Sequence, residues 1–175
     1  MKKKEHRGSW IPLCILLILI AGYLLSVVFG PETCGNSNEA LHMFLQEQIQ
    51  DEIEVLKVKK EGRIKAAIYD RDDLGTCIAM FERKFFGLRW EYTGMDMLVE
   101  RGLQNEGSWL NGKCEVVICG DNRRGDVASY VLKDAEGVTR SNLEADYIID
   151  IYILDGIKML PDDFWQYRPD GSVFS

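Results

Sequence analysis

The sequence predicts an α+β chain that is mostly β: an N-terminal transmembrane helix, then one short amphipathic helix packed on a curved or sandwiched antiparallel meander of about eight strands. Three observations carry this. The stretch from Gly8 to Pro31 holds no charged residue, and thirteen of its side chains are Leu, Ile, Val or Phe. A second apolar pattern, Leu41, Phe44, Leu45 and Ile49, recurs at helical spacing just after it. Downstream, short β-type runs alternate with turn signals, and no long crossover separates them.

The first element sets the location. At 1.5 Å per residue the apolar run reaches roughly 30 Å, the thickness of a hydrocarbon core. Pro12 falls in the first turn, where a missing N–H costs little. A secretory signal has a shorter apolar centre of about 7 to 15 residues and a small-x-small cleavage site. The exit "SVVFGPE" has no such pair, and Cys34 follows Pro31-Glu32-Thr33 rather than the small residues of a lipoprotein signal. An uncleaved signal anchor is expected. The basic tail "MKKKEHR" stays cytoplasmic by the positive-inside rule, so the division is 1–9 tail, 10–30 anchor and 31–175 extracytoplasmic β-rich domain.

Charge is unevenly placed. Of 21 Lys and Arg, Lys2, Lys3, Lys4 and Arg7 precede the apolar run, whereas of 28 Asp and Glu only Glu5 does. The outer domain is therefore acidic, which excludes a nucleic-acid partner over most of its surface.

Four cysteines, Cys34, Cys77, Cys114 and Cys119, lie beyond the anchor, in a compartment where disulfides persist. They are candidate disulfide cysteines, with three complete pairings open. Cys114 and Cys119 are an odd number apart in one strand, so they face opposite ways and do not pair together. The alternative is buried single thiols. Zinc would want close Cys or His pairs, which are missing; no metal or other cofactor is expected.

The elements then follow in order. Asn36, Ser37 and Asn38 are cap-type residues before a helix over about Asn38 to Gln50. "IEVLKVKK" and "RIKAAIYD" form a hairpin about a two-residue turn at Glu61-Gly62, which places Val55, Ala66 and Ile68 on one face and Leu56, Val58 and Ala67 on the other. "GTCIAMFER" and "LRWEY" flank a turn from Lys84 to Gly87. Asn111-Gly112 is a hairpin dipeptide leading into "KCEVVICGD". "VASYVLKD" ends at Ala135-Glu136-Gly137, "ADYIIDIYILDG" is a long β run, and "FWQYRPDGSVF" closes on a Pro-Asp-Gly turn.

The order of the anchor, "EALHMFLQEQI", "GTCIAMFERKFFGLRWEY", "LNGKCEVVICGDN" and "WQYRPDGSVF" resembles a group of small exported proteins of Gram-positive bacteria. The resemblance implies an envelope location and brings no catalytic residue with it. The cysteines depart from that group's usual pattern.

Few constellations carry chemistry. His42 is the single histidine beyond the tail and lies next to the helical apolar stripe, a structural position. "YDRDDLG" offers Asp70, Asp72 and Gly75 in faint likeness to a calcium loop, but Leu74 holds a ligand position and Phe81 stands where the bidentate carboxylate belongs. "RRGD" at Arg123 to Asp126 contains the integrin tripeptide, and Asp162 with Asp163 forms a carboxylate pair that nothing singles out. The hairpin "KVKKEGRIK" concentrates Lys57, Lys59, Lys60, Arg63 and Lys65, with Lys60 opposite Arg63. This is either a solvated tip whose lysines discourage edge pairing or a cationic contact for anionic lipid or wall polymer. The expected function is a non-catalytic binding or structural module of the cell envelope, tethered to the membrane. The rival readings are a membrane-proximal regulator acting through the tail and an envelope hydrolase using carboxylates.

Overall fold

The computed structural model of the chain describes residues 10–84, 87–110, 113–132, 138–155 and 164–174. Within them lie two helices, α1 (Trp10–Val28) and α2 (Asn38–Ile49), and eleven strands. The strands are β1 (Thr33–Cys34), β2 (Ile53–Glu61), β3 (Ile64–Arg71), β4 (Gly75–Lys84), β5 (Arg89–Met97), β6 (Gln104–Leu110), β7 (Lys113–Asp121), β8 (Ser129–Leu132), β9 (Val138–Ser141), β10 (Tyr147–Asp155) and β11 (Phe164–Tyr167). Every pairing is antiparallel.

α1 is apolar all round. Leu16, Leu17, Ile18 and Leu19 together sweep its circumference, and each is more than half exposed. Among the described residues no helix is long and apolar enough to cross a membrane; the side chains described on α1 end at Ser26. α2 starts where the capping residues require. Ser37, in extended backbone, accepts a hydrogen bond from the Ala40 N–H at 3.1 Å. It ends at Gln50, whose left-handed φ of 57° lets its N–H reach the Gln46 carbonyl.

The strands form three sheets rather than one meander. The first has the order β1-β5-β4-β3-β2, the second β10-β7-β6 and the third β11-β8-β9. Three cores stack between the layers. Leu41, Phe44 and Leu45 of α2 pack on Ala67, Tyr69, Phe81 and Trp90 of the first sheet. On its other face Ile64, Ala66, Ile68 and Ile78 meet Val117, Cys119, Ile149 and Ile151 of the second sheet. The far side of the second sheet, Cys114, Val116, Ile118 and Ile148, meets Tyr130 and Leu132 of the third. β3 and β7 are covered on both faces, which is why they read as nearly continuous apolar runs.

Two details of the first hairpin correct the sequence expectation. The turn is Gly62-Arg63, not Glu61-Gly62, because Glu61 pairs with Ile64 and Lys60 with Lys65. Gly62 carries the positive φ, 54°, that a turn of this hand needs at its first central residue. A bulge then places Leu56 between the pairs Val55↔Tyr69 and Lys57↔Ile68. Val55 and Leu56 consequently exchange faces: Val55 joins Val58 and Ala67 under α2, and Leu56 joins Ala66 and Ile68 against the second sheet. The β4–β5 turn also moves by one residue, closing at Lys84↔Arg89. The Pro-Asp-Gly turn stands as expected, with Gly171 N–H on the Arg168 carbonyl and Tyr167 bridged to Val173. Asn111-Gly112, Ala135 to Gly137, and Asp162 with Asp163 lie outside the described residues.

Candidate functional site

The five basic residues of the first hairpin do not form one surface. Lys57 donates to the Tyr147 carbonyl of β10, and Lys59 lies 2.8 Å from Asp150 of the same strand. Arg63 is paired with Glu82. Lys65 is wholly buried beneath α2's side of the sheet, its Nζ 5.8 Å from the Phe81 ring centroid and 5.7 Å from that of Trp90. Among the described residues that amine has no hydrogen-bond partner. Burial pushes its pKa down, Cys34 opposes this and Lys60 adds to it. Only Lys60 and the half-exposed Arg63 remain at the tip. Lys65 shares a face of β3 with Ala67 and Tyr69 by plain alternation, and α2 covers that face; the one-residue move of the turn changes only its cross-strand partner, to Lys60.

A second charged centre was not legible beforehand. Asp150 of β10 is 2% exposed and faces the third sheet, opposite in sense to its neighbours Ile149 and Ile151. Tyr130 donates to its Oδ2 at 2.8 Å and also meets the Tyr152 hydroxyl at 2.6 Å. Lys59 and Arg140 hold Oδ1 from the two flanking sheets. Burial alone would raise the Asp150 pKa, but the Lys59 and Tyr130 hydrogen bonds and the two cationic charges hold it below the usual carboxylate value. Burial, with the bonds to Tyr152 and Asp150, raises the Tyr130 phenol. With a carboxylate held by two cations and a phenol pinned in its neutral form, the arrangement joins three sheets and offers no free acid or base. Its members, at 59, 130, 140, 150 and 152, share no local motif.

A cavity of about 620 Å³ lies where the β3–β4 turn, the β5–β6 connection and the β7–β8 loop meet. It contains the RRGD segment. Arg123 folds back on Asp121 and stacks 5.2 Å from the Tyr147 ring centroid, while Asp126 is taken by Arg101 at 3.0 Å. The hydrogen bonds from Arg123 draw the Asp121 pKa down. The Asp of the tripeptide is thus engaged within the chain. In the neighbouring turn, Asp73 holds Arg71 at 2.8 Å and Asp70 accepts from the Thr76 hydroxyl. No group of His, Cys, Asp and Glu among the described residues is arranged to hold a metal ion. His42 bridges α2 to β2 through the Ile53 carbonyl, Nε2 to O 3.3 Å.

Of the two readings open for the outer cysteines, a disulfide or buried single thiols, the structure has the second. All four are buried single thiols. Cys34 and Cys77 lie in the core beneath α2, Cys119 between the first and second sheets, and Cys114 between the second and third. The odd spacing of Cys114 and Cys119 acts as expected, sending them to different cores. Burial raises every one of these thiol pKa values, that of Cys119 to about 12.

Where α1 meets the β domain, the Arg89 guanidinium stacks 5.0 Å from the Phe29 ring centroid and donates to the Thr33 carbonyl at 2.8 Å. Asn36 spans the same junction, accepting from the Trp90 indole and donating to the Gly87 carbonyl at 3.4 Å. Comparison of the chain with protein-family models, characterised proteins and solved structures finds no match to any of them.

Proposed function

We propose that the chain is a single-pass membrane protein whose β domain stands outside the cell membrane as a binding or structural module of the envelope, with the basic tail in the cytoplasm. One observation carries the reading. α1 presents large apolar side chains on every side, Trp10 71%, Ile18 70% and Tyr23 69% exposed, and no described residue of the chain covers them. In water such a helix would expose far more apolar surface than a soluble monomer tolerates. The uncharged run of sequence from Gly8 to Pro31 is longer than the described side chains of α1, and as a helix it would reach roughly 30 Å, the thickness of the hydrocarbon core. The Lys-rich tail favours the inward orientation. The likeness of the sequence to small exported proteins of Gram-positive bacteria favours the envelope as the site of action. A non-catalytic role is favoured by the Asp150 centre and by the Arg123–Asp121 and Arg101–Asp126 pairs of the large cavity, whose charges are already matched within the chain.

The test is fractionation of the full chain expressed in a bacterial host, with carbonate extraction and protease added from outside. The expected outcome is retention in the membrane at unprocessed mass, with Gly35 onward digested or shaved. Recovery of a soluble species beginning near Pro31 would overturn the anchor.

A further inference from the structure

The two hairpin tips nearest α1 enclose a cleft of about 280 Å³. Lys60 and Glu61 line it from the β2–β3 tip, Arg83 and Gly87 from the β4–β5 tip, with Asn36 and Trp90 between them. The position of this cleft follows from chain length. α1 ends at Val28 and Thr33 is already paired with Glu91; five residues of chain reach at most about 18 Å. The stacking of Arg89 on Phe29 makes the junction a direct contact. If α1 is in the bilayer, this end of the domain lies at the headgroups.

The cleft is chemically prepared for an anion. Lys84 is occupied by Glu82 and Glu91, and Arg63 by Glu82. Lys60 and Arg83 are exposed, and the described residues provide neither side chain with an ion pair or hydrogen bond. Among the described residues Glu61 is the one acid lining the cleft, against these two cations. Arg83 lies over Gly87, where a Cβ would collide with the guanidinium, and the φ of 89° at Gly87 would independently strain any side chain there. The apolar side is also present: Leu88, 68% exposed, follows Gly87, and Phe29, 63% exposed, adjoins it through Arg89.

We propose that this cleft binds the phosphate headgroup of an anionic phospholipid in the outer leaflet, with Lys60 and Arg83 contacting the phosphate and Leu88 and Phe29 entering the acyl boundary. The inference rests on the anchor reading and deepens it. It gives the domain a second membrane contact, which fixes its orientation on the surface instead of leaving it free on a tether.

The experiment uses the full chain carrying Cys14→Ala in vesicles of phosphatidylcholine, with and without phosphatidylglycerol. A nitroxide is placed by Leu88→Cys or, as the aqueous control, by Leu74→Cys in the β3–β4 turn at the other end of the strands; the four native outer thiols are buried and stay unlabelled. Accessibility to oxygen relative to a water-soluble nickel chelate is then measured. The expected result is a ratio several-fold higher at position 88 than at 74 in the phosphatidylglycerol vesicles. It should fall with salt and be lost in Lys60→Glu/Arg83→Glu with melting temperature unchanged. Equal ratios at 88 and 74 in a chain that still floats with vesicles would overturn the cleft and leave the anchor standing. So would an unaltered ratio in the double variant. Inorganic phosphate that abolishes the dependence on phosphatidylglycerol supports the shared phosphate site, whereas the same high ratio in phosphatidylcholine alone overturns the anionic headgroup. A chain that fails to float removes the anchor and the proposal together.

Discussion

Lys59 Nζ of β2 and Asp150 Oδ1 of β10 stand 2.8 Å apart and join the first sheet to the second, at a carboxylate that Tyr130 and Arg140 also tie to the third. β2 and β10 are edge strands of their sheets. A lysine reaching across is therefore doing two things: it satisfies a buried charge and blocks the open edge of β10, to which Lys57 adds its bond to the Tyr147 carbonyl.

The two ends of this pair should not cost the same. Asp150→Asn removes the negative charge that faces Lys59 and Arg140 and turns one of the two acceptor oxygens into an N–H donor, so it is expected to destabilise the chain by about 2 to 4 kcal/mol. Lys59, whose side chain is 38% exposed, can turn to water, so Lys59→Met should cost under about 1 kcal/mol. Equal losses in denaturant titrations would show that the pair acts alone and not as part of a three-sheet centre.

Acid gives an independent reading of the same carboxylate. Its folded pKa lies below the ordinary 3.8, so the stability it contributes is complete above that value and is lost as pH falls through the lowered one. The gap in stability between wild type and Asp150→Asn should be constant near neutrality and close below about pH 4. A gap that closes between pH 5 and 7 would assign the effect to another group.

Phe44 was legible from its helical spacing, and its surroundings make the consequence specific. Its ring lies 5.8 Å from those of both Phe81 and Tyr92, which are themselves 5.5 Å apart. Phe44→Ala should cost about 3 to 5 kcal/mol in chemical denaturation. A loss below about 1 kcal/mol would mean α2 does not close this core.

The contrast between Phe44 and Asp150 shows what the sequence could carry. Helix α2, its Ser37 cap, the paired runs of β2 to β4 and the closing Pro-Asp-Gly turn are local patterns, and each was readable. What failed was register and layering. A bulge at Leu56 and a turn moved by one residue are small in energy but re-pair the hairpin, exchanging the faces of Val55 and Leu56 and setting Lys60 opposite Lys65, while the cover that buries Lys65 comes from α2 and Trp90, distant in sequence. β5 runs on through Thr93-Gly94, a segment without alternation, where a bulge interrupts its pairing with β4 and the two residues of β1 no longer reach its other edge. The split into three sheets depends on which strands meet across long separations, and the Asp150 centre exists only once they do.

The thiols should be silent in the folded chain. With pKa values raised by burial, Cys34, Cys77, Cys114 and Cys119 hold almost no thiolate at neutral pH. Alkylation of the native protein followed by mass spectrometry should leave all four unmodified, and denaturation without reductant should make all four reactive. A pair that reacts only after reduction would establish a disulfide.

Lys65 presents the sharpest case of a group held against its preference. The amine is fully buried and without a hydrogen-bond partner among the described residues, with two aromatic rings as its compensation. Burial lowers its folded pKa beneath the ordinary 10.5. Between the lowered value and 10.5 folding expels a proton, so stability should rise with pH across that window and level off above it. Lys65→Met keeps the length of the side chain and removes the charge. It is expected to stabilise the protein by about 1 to 3 kcal/mol at pH 7 and to abolish the alkaline rise, with the two curves converging near pH 10 to 11. The measurement is urea unfolding of wild type and variant from pH 7 to 11. A variant less stable than wild type at pH 7 would show that the two rings do more than offset the burial of the cation.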